Sequence, residues 1–99
     1  MKRGGFVYIL ANKSNSVLYI GVTSDLHKRL HQHINKHYPN AFTARYNCNK
    51  LVYYEFFSRI EEAIAREKAM KKWKRVWKEN LINQENPEWK DLSLEINEF

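Results

Sequence analysis

Hydrophobic and polar positions alternate with different periods along the chain, and the changes of period mark its elements. Phe6 to Ala11 is apolar and rich in strand formers, and reads as a β-strand. Asn12 to Ser16 is a polar loop, and Val17 to Gly21 reads as a second strand paired with the first as a hairpin. A symmetrical turn near Lys13 and Ser14 predicts that Tyr8 stands directly opposite Tyr19, on one face of the sheet.

The period then lengthens. Leu26, Leu30 and Ile34 recur every four residues, as on one stripe of a helix, with Ser24 as N-cap and an end near His37 ahead of Pro39. Arg29 and His33 fall along one edge of that stripe, His27 and His31 along the other. Asn40 to Asn49 is polar and predicted to be irregular. Lys50 to Phe57 is a third strand, apolar on both faces apart from Glu55, so both sides of the sheet are expected to be covered. Ser58 to Glu61 has the capping-box spacing, and helical sequence follows to about Asn83, as one long helix or two with a bend. Ala63, Met70, Trp77 and Leu81 form its predicted apolar stripe. Asn86 and Pro87 end it, and the segment from Pro87 to Ile96 is expected to pack back through Trp89 and Leu92. The layout β-β-α-β-α with a C-terminal tail predicts an α+β fold: a small three-stranded antiparallel sheet flanked by helices.

Composition narrows this picture. At 99 residues the expectation is a single domain spanning 1–99. No stretch approaches the ~20 apolar residues of a membrane span, and the basic start MKRGGF lacks a signal-peptide core. One cysteine, Cys48, precludes an internal disulfide and fits a reducing, cytoplasmic setting. The formal net charge is +6, and between Arg66 and Lys78 seven basic residues accompany one acid, Glu67. A basic stripe of this density points to a polyanionic partner.

Glu67 is the anomaly in that stripe. It projects toward the side of Ile60 and Ala63, so its carboxylate belongs at the rim of the core. A lone rim acid can hold one hard divalent cation, with water and a substrate phosphate completing the shell. Arg29 offers a permanently charged fork that matches phosphate oxygens. A tyrosine whose pKa is lowered by nearby cations could take a proton from water, and His33 could relay it. Together these groups outline phosphodiester hydrolysis. His27 and His31 have the spacing of a zinc pair, but no third ligand accompanies them, and they read as surface residues.

The motifs resemble the GIY-YIG nuclease family. Phe6-Val7-Tyr8 matches the first triplet, with Phe6 in place of its glycine, and Tyr19-Ile20-Gly21 matches the second. TSDLHKRLHQH, from Thr23 to His33, is similar to the family's Thr-x-x-Leu-x-x-Arg-x-x-x-His segment. EAIAREKAMKKWKR aligns Glu67 with the metal-binding glutamate. NPEWKDL resembles the closing motif of the small, single-domain bacterial branch (UPF0213-like), with Asn86 as the asparagine near the site. The resemblance covers about residues 5–94.

It implies a metal-dependent nuclease acting on DNA, as an endonuclease or exonuclease, using one Mg²⁺ or Mn²⁺ on Glu67. Arg29 braces the phosphate, Tyr8 activates water with His33, and Tyr19 positions water or phosphate. Gly21, Thr23 and Asn86 support these residues from behind. Lys71, Lys74 and Lys78 lie within about 60° of one another on a continuous helix, and with Arg45 they are the expected nucleic-acid contacts. No room remains for a separate recognition domain. Low sequence specificity, recognition of DNA structure as in repair or recombination, or a partner protein that supplies specificity is therefore expected. RNA stays open as a substrate. The alternative is a non-catalytic nucleic-acid-binding module that keeps the fold.

Overall fold

The computed structural model describes residues 4–97. β1 (Gly5–Ala11) is the central strand of a three-stranded antiparallel sheet, between β2 (Leu18–Thr23) and β3 (Lys50–Phe57) in the order β2-β1-β3. Helices α1 (Leu26–Ile34), α2 (Phe42–Arg45), α3 (Ile60–Lys71), α4 (Arg75–Glu85) and α5 (Ser93–Asn97) complete the described chain. The α+β arrangement of sheet and flanking helices is the one expected.

The period-2 alternation of β1 builds two cores. Val7, Ile9 and Ala11 point to one face, where Ala63, Met70 and Ile82 of α3 and α4 cover them. Tyr8 and Leu10 point to the other, against Leu26 and Leu30 of α1 and Ile96 of α5. A strand covered on both faces has no polar side, which accounts for the unbroken apolar run in its sequence.

The hairpin register differs from the expected one. Tyr8 pairs with Gly21, and Tyr19 pairs with Leu10. The turn is centred one residue later, at Ser14 and Asn15, where Asn15 takes a positive φ of 62°. Asn12 closes the loop, since its side-chain oxygen accepts from Val17 N at 3.0 Å. A displacement of two places along β2 preserves the alternation, so both tyrosines still share one face.

Other boundaries also move. Asp25, not Ser24, caps α1, its carboxylate accepting from Lys28 N at 3.0 Å. Thr23 Oγ1 accepts from Asp25 N and so shapes the approach to that cap. The helix ends at Ile34, short of His37, because Lys36 adopts a φ of 51°. The predicted irregular segment contains α2. The capping box at Ser58 does not form: Arg59 occupies the N-cap without a side-chain bond, and Glu61 and Glu62 meet the helix dipole instead.

The long helical segment is two helices. Lys74, extended at φ −63° and ψ 151°, breaks the path between α3 and α4. The second helix therefore has its own phase. Ile82 is buried, while Trp77, expected in the apolar stripe, is 50% exposed.

Asn86 performs a task the motif did not reveal. Val52 has no opposite residue on β1, because the β1–β3 register shifts between Ile9 and Leu10. The Val52 carbonyl accepts from Asn86 Nδ2 at 3.1 Å. The same nitrogen donates to Lys90 O at 2.9 Å, and Asn86 Oδ1 accepts from Lys90 N at 3.1 Å. Leu92 N then donates to Leu51 O, which stitches the tail to β3. Asn86 is thus bonded to the scaffold rather than to the phenols. Replacing Asn86 with Ala should cost about 2 kcal/mol, the usual penalty for stranding buried polar partners. A fall in the urea midpoint at unchanged slope would register it. Activity per folded molecule should hold.

Candidate active site

The site is built around Tyr8. Its phenol is fully buried and lies over Gly21, where an added Cβ would come within 2.4 Å of the Oη. Tyr19, two places along β2 from Gly21, leans toward it with ring centroids 6.3 Å apart. The second turn of α1 brings His33 to both rings, at centroid distances of 5.9 Å from Tyr8 and 5.8 Å from Tyr19. Tyr8 Oη and His33 Nε2 are 3.1 Å apart. One turn earlier on the same helix edge, Arg29 places its positive charge near the phenol. The edge shared by Arg29 and His33 was legible from 3.6-residue periodicity, and the fold turns it toward the tyrosines.

Electrostatics sort these groups. Burial, with a smaller push from Tyr19, raises the Tyr8 pKa well above the ordinary phenol value, and the charge of Arg29 only partly offsets this. Tyr8 is therefore a neutral phenol, contrary to the lowered pKa expected from sequence. His33 is pulled down to about 4, first by burial and then by the Arg29 charge. At neutral pH its imidazole is uncharged and one ring nitrogen is free to accept.

Glu67 comes from α3, and its side chain is only 12% exposed. Its charge reaches Tyr8, where it opposes ionisation of the phenol. Lys71, one turn on, pairs with Glu67 Oε2 at 2.6 Å. Lys71 and Lys78 then meet Leu18, Tyr19, Ile20 and Phe42 around a hollow of ≈ 260 Å³. The hollow runs along the free edge of β2, where side chains from both faces of the sheet converge. Phe42 stacks on Tyr19 at 6.0 Å with an interplanar angle of 28°.

Not every expected residue joins this cluster. Lys74 is the N-cap of α4, and the break it makes removes it from the phase shared with Lys71 and Lys78. Neither Lys74 nor Arg45 lines the hollow; both are exposed. Arg75 is engaged elsewhere, donating to the carbonyls of Asn15 at 2.6 Å and Ser16 at 2.8 Å. His27 and His31 border a solvent groove on the outer side of α1. Among the described residues, no three metal-ligating side chains cluster. Thr43 was not foreseen: it is 4% exposed, with its Oγ1 2.8 Å from His33 Nδ1. No spacing in the sequence signals this contact, because Thr43 sits ten residues beyond His33 in a segment with no clear period.

A cation at this site would have one protein carboxylate. That is a poor donor set for zinc, which takes several nitrogen or sulfur ligands. It fits Mg²⁺ or Mn²⁺, hard ions that retain waters and accept phosphate oxygens.

A family model described as the GIY-YIG catalytic domain matches residues 4–80. A UPF0213 protein of Clostridium perfringens is 39% identical over 92 residues, which are 93% of this chain and 97% of the relative. A UPF0213 protein of Syntrophus aciditrophicus is 37% identical over 83 residues, covering 84% of this chain and 93% of the relative. The solution NMR structure of a UPF0213 protein from Bacillus halodurans superimposes with a TM-score of 0.57 at 28% identity, over 89% of this chain and 92% of that one.

Proposed function

The chain belongs to the GIY-YIG catalytic-domain family, and from that premise we propose that it hydrolyses phosphodiester bonds in DNA with the help of one Mg²⁺ or Mn²⁺. The observation that carries this reading is the convergence of two phenols, a neutral imidazole and a guanidinium beside a lysine-lined hollow. Binding nucleic acid requires only the basic surface. It gives no reason to bury a phenol against an imidazole.

Each residue has a task in this scheme. Lys71 and Lys78 attract the DNA backbone to the edge of β2, and Arg29 meets the negative charge that grows on the phosphoryl oxygens. Glu67 would hold the cation, which when bound supplies Lewis acidity to the phosphate. Lys71 pairs with one oxygen of that carboxylate, so its ammonium would have to turn to a phosphate for both oxygens of Glu67 to be available to a cation.

The two phenols differ in what they offer. Tyr19 has access to the hollow. Tyr8 has an acceptor for its own proton, His33 Nε2, and a phenol that takes a proton from water has to pass its own one on. We therefore assign the base to Tyr8 and the orientation of water or phosphate to Tyr19. In one concerted relay Tyr8 passes its proton to His33 as it takes another from water, so no free phenolate has to form against the raised Tyr8 pKa and the lowered His33 pKa. The resulting hydroxide attacks phosphorus as the bond to the departing sugar oxygen breaks. That oxygen is protonated by solvent, and the imidazolium returns its proton to solvent. Tyr8 is fully buried, so a path for water to its oxygen has to open during the reaction.

Labelled single-stranded, duplex, nicked, flapped and branched DNA, and RNA, incubated with and without Mg²⁺ or Mn²⁺, test the reading. Metal-dependent cleavage of DNA is expected. Binding without cleavage of any member would replace it with the non-catalytic module. Arg29→Lys supplies a finer check. It keeps the charge but loses the planar fork, and should slow single turnover roughly 10²-fold while DNA affinity holds. An unchanged rate would return Arg29 to an ordinary surface charge.

A further inference from the structure

Tyr8 Oη lies 3.1 Å from His33 Nε2, and His33 Nδ1 lies 2.8 Å from Thr43 Oγ1. A neutral imidazole has one donor nitrogen and one acceptor nitrogen, so this line of contacts has a direction. Arg29 carries a permanent charge near the same phenol and has no acceptor to offer the phenolic proton. The phenolic hydrogen therefore has to be given to another group. Tyr8 is fully buried, and among the described residues His33 is the one hydrogen-bond partner of its hydroxyl, with a ring nitrogen able to take that proton. The arrangement that satisfies every group has Tyr8 O–H donating to Nε2 and Nδ1–H donating to Thr43.

We propose that Thr43 is a positioning residue: its buried hydroxyl accepts from His33 Nδ1, which fixes the imidazole in the one tautomer whose Nε2 can take the Tyr8 proton. The opposite tautomer presents an N–H to the phenol and strands the phenolic hydrogen. A hydrogen bond at the far ring nitrogen is the general means of selecting a tautomer. Thr43 is well placed for it, because its neighbour Phe42 anchors the short helix α2 to β2. Phe42 stacks on Tyr19, and Tyr46 packs on Phe42 with ring centroids 4.6 Å apart. The same turn of backbone thereby supports one tyrosine through Phe42 and orients the other through Thr43 and His33.

The kinetic part of the test rests on the phosphodiesterase reading; the spectroscopic part does not. Long-range ¹H–¹⁵N spectra of the uniformly ¹⁵N-labelled chain at neutral pH report the tautomer of each histidine, with His33 identified by its loss in His33→Gln. The wild-type chain should show His33 protonated on Nδ1. A wild-type spectrum with the proton on Nε2 overturns the proposal without any Thr43 variant. Thr43→Val keeps the shape and removes the acceptor. It should move His33 toward the Nε2–H form and slow single turnover by about 10- to 100-fold with DNA affinity unchanged. Thr43→Ser, which keeps the hydroxyl, should restore both. If Thr43→Val leaves the tautomer or the rate as in wild type, Thr43 is only a packing residue. If the wild-type chain cleaves nothing, the nuclease reading fails and the tautomer alone decides the role of Thr43.

Discussion

Glu67→Gln is expected to abolish cleavage while DNA binding persists. The amide keeps the shape of the carboxylate and removes the charge that would hold the cation. Lewis-acid stabilisation is worth several kcal/mol, so the single-turnover rate should fall by about 10³-fold or more. Binding, measured in Ca²⁺, should be unchanged or slightly tighter, because a negative charge leaves the DNA face and Lys71 is released from its 2.6 Å pair. The sign of a second effect makes the test decisive. Glu67 raises the pKa of Tyr8, so its neutralisation eases ionisation of the phenol. Were Glu67 present only to tune Tyr8, the variant would be as fast as wild type or faster. Lys71→Gln breaks the same ion pair from the other side and keeps the carboxylate. It should retain the chemical step and lose affinity. Wild-type cleavage by Glu67→Gln in saturating metal would sink the single-carboxylate site.

The elements with a strong period were legible in the sequence, and those set by local backbone geometry were not. β3 could be read to the residue, because its apolar run is bounded by Asn49 and Ser58. Arg29 and His33 could be read as neighbours, because α1 is regular between them. The hairpin register could not, because it depends on which residue of a polar loop takes positive φ, and two asparagines were available. Its error of two residues did no harm to the site, since strand side chains alternate with period 2. The error in the basic helix was different in kind. One extended residue, Lys74, resets the helical phase, so the face shared by Lys71, Lys74 and Lys78 on a continuous helix splits. Lys71 and Lys78 still meet at the hollow only because α4 packs back on the sheet. Asn86 and Thr43 were illegible as structural partners for a third reason. Each bonds to a residue far from it in sequence, and no short-range pattern encodes such a contact.

Gly21→Ala is the second substitution from which a large effect is expected, and it tests the geometry rather than the metal. Gly21 does not need its conformational freedom, since no glycine among the described residues has positive φ. Its role is space. A methyl there would lie 2.4 Å from Tyr8 Oη, 2.5 Å from Tyr8 Cζ and 3.0 Å from Tyr19 Cε2. The Tyr8 ring is fully buried and its oxygen is paired with His33, so moving it away disturbs both its packing and that bond. The variant should therefore displace both phenols. Overpacking of this kind typically costs about 1–3 kcal/mol in stability. Displacing reacting groups by about 1 Å can cost 10²-fold in rate, so with both phenols moved about 10²- to 10³-fold is expected. A double-mutant cycle with Tyr8→Leu separates this cause from a general weakening of β2. Leucine has no atoms where the ring meets residue 21, so on that background the stability cost of Gly21→Ala should nearly vanish, giving a coupling of about 1 kcal/mol or more. Additive costs would mean that the methyl disturbs the strand and not the phenol. Wild-type cleavage by Gly21→Ala would mean that the Tyr8 oxygen need not lie where the sheet now holds it, and the assignment of Tyr8 as base would fall with it.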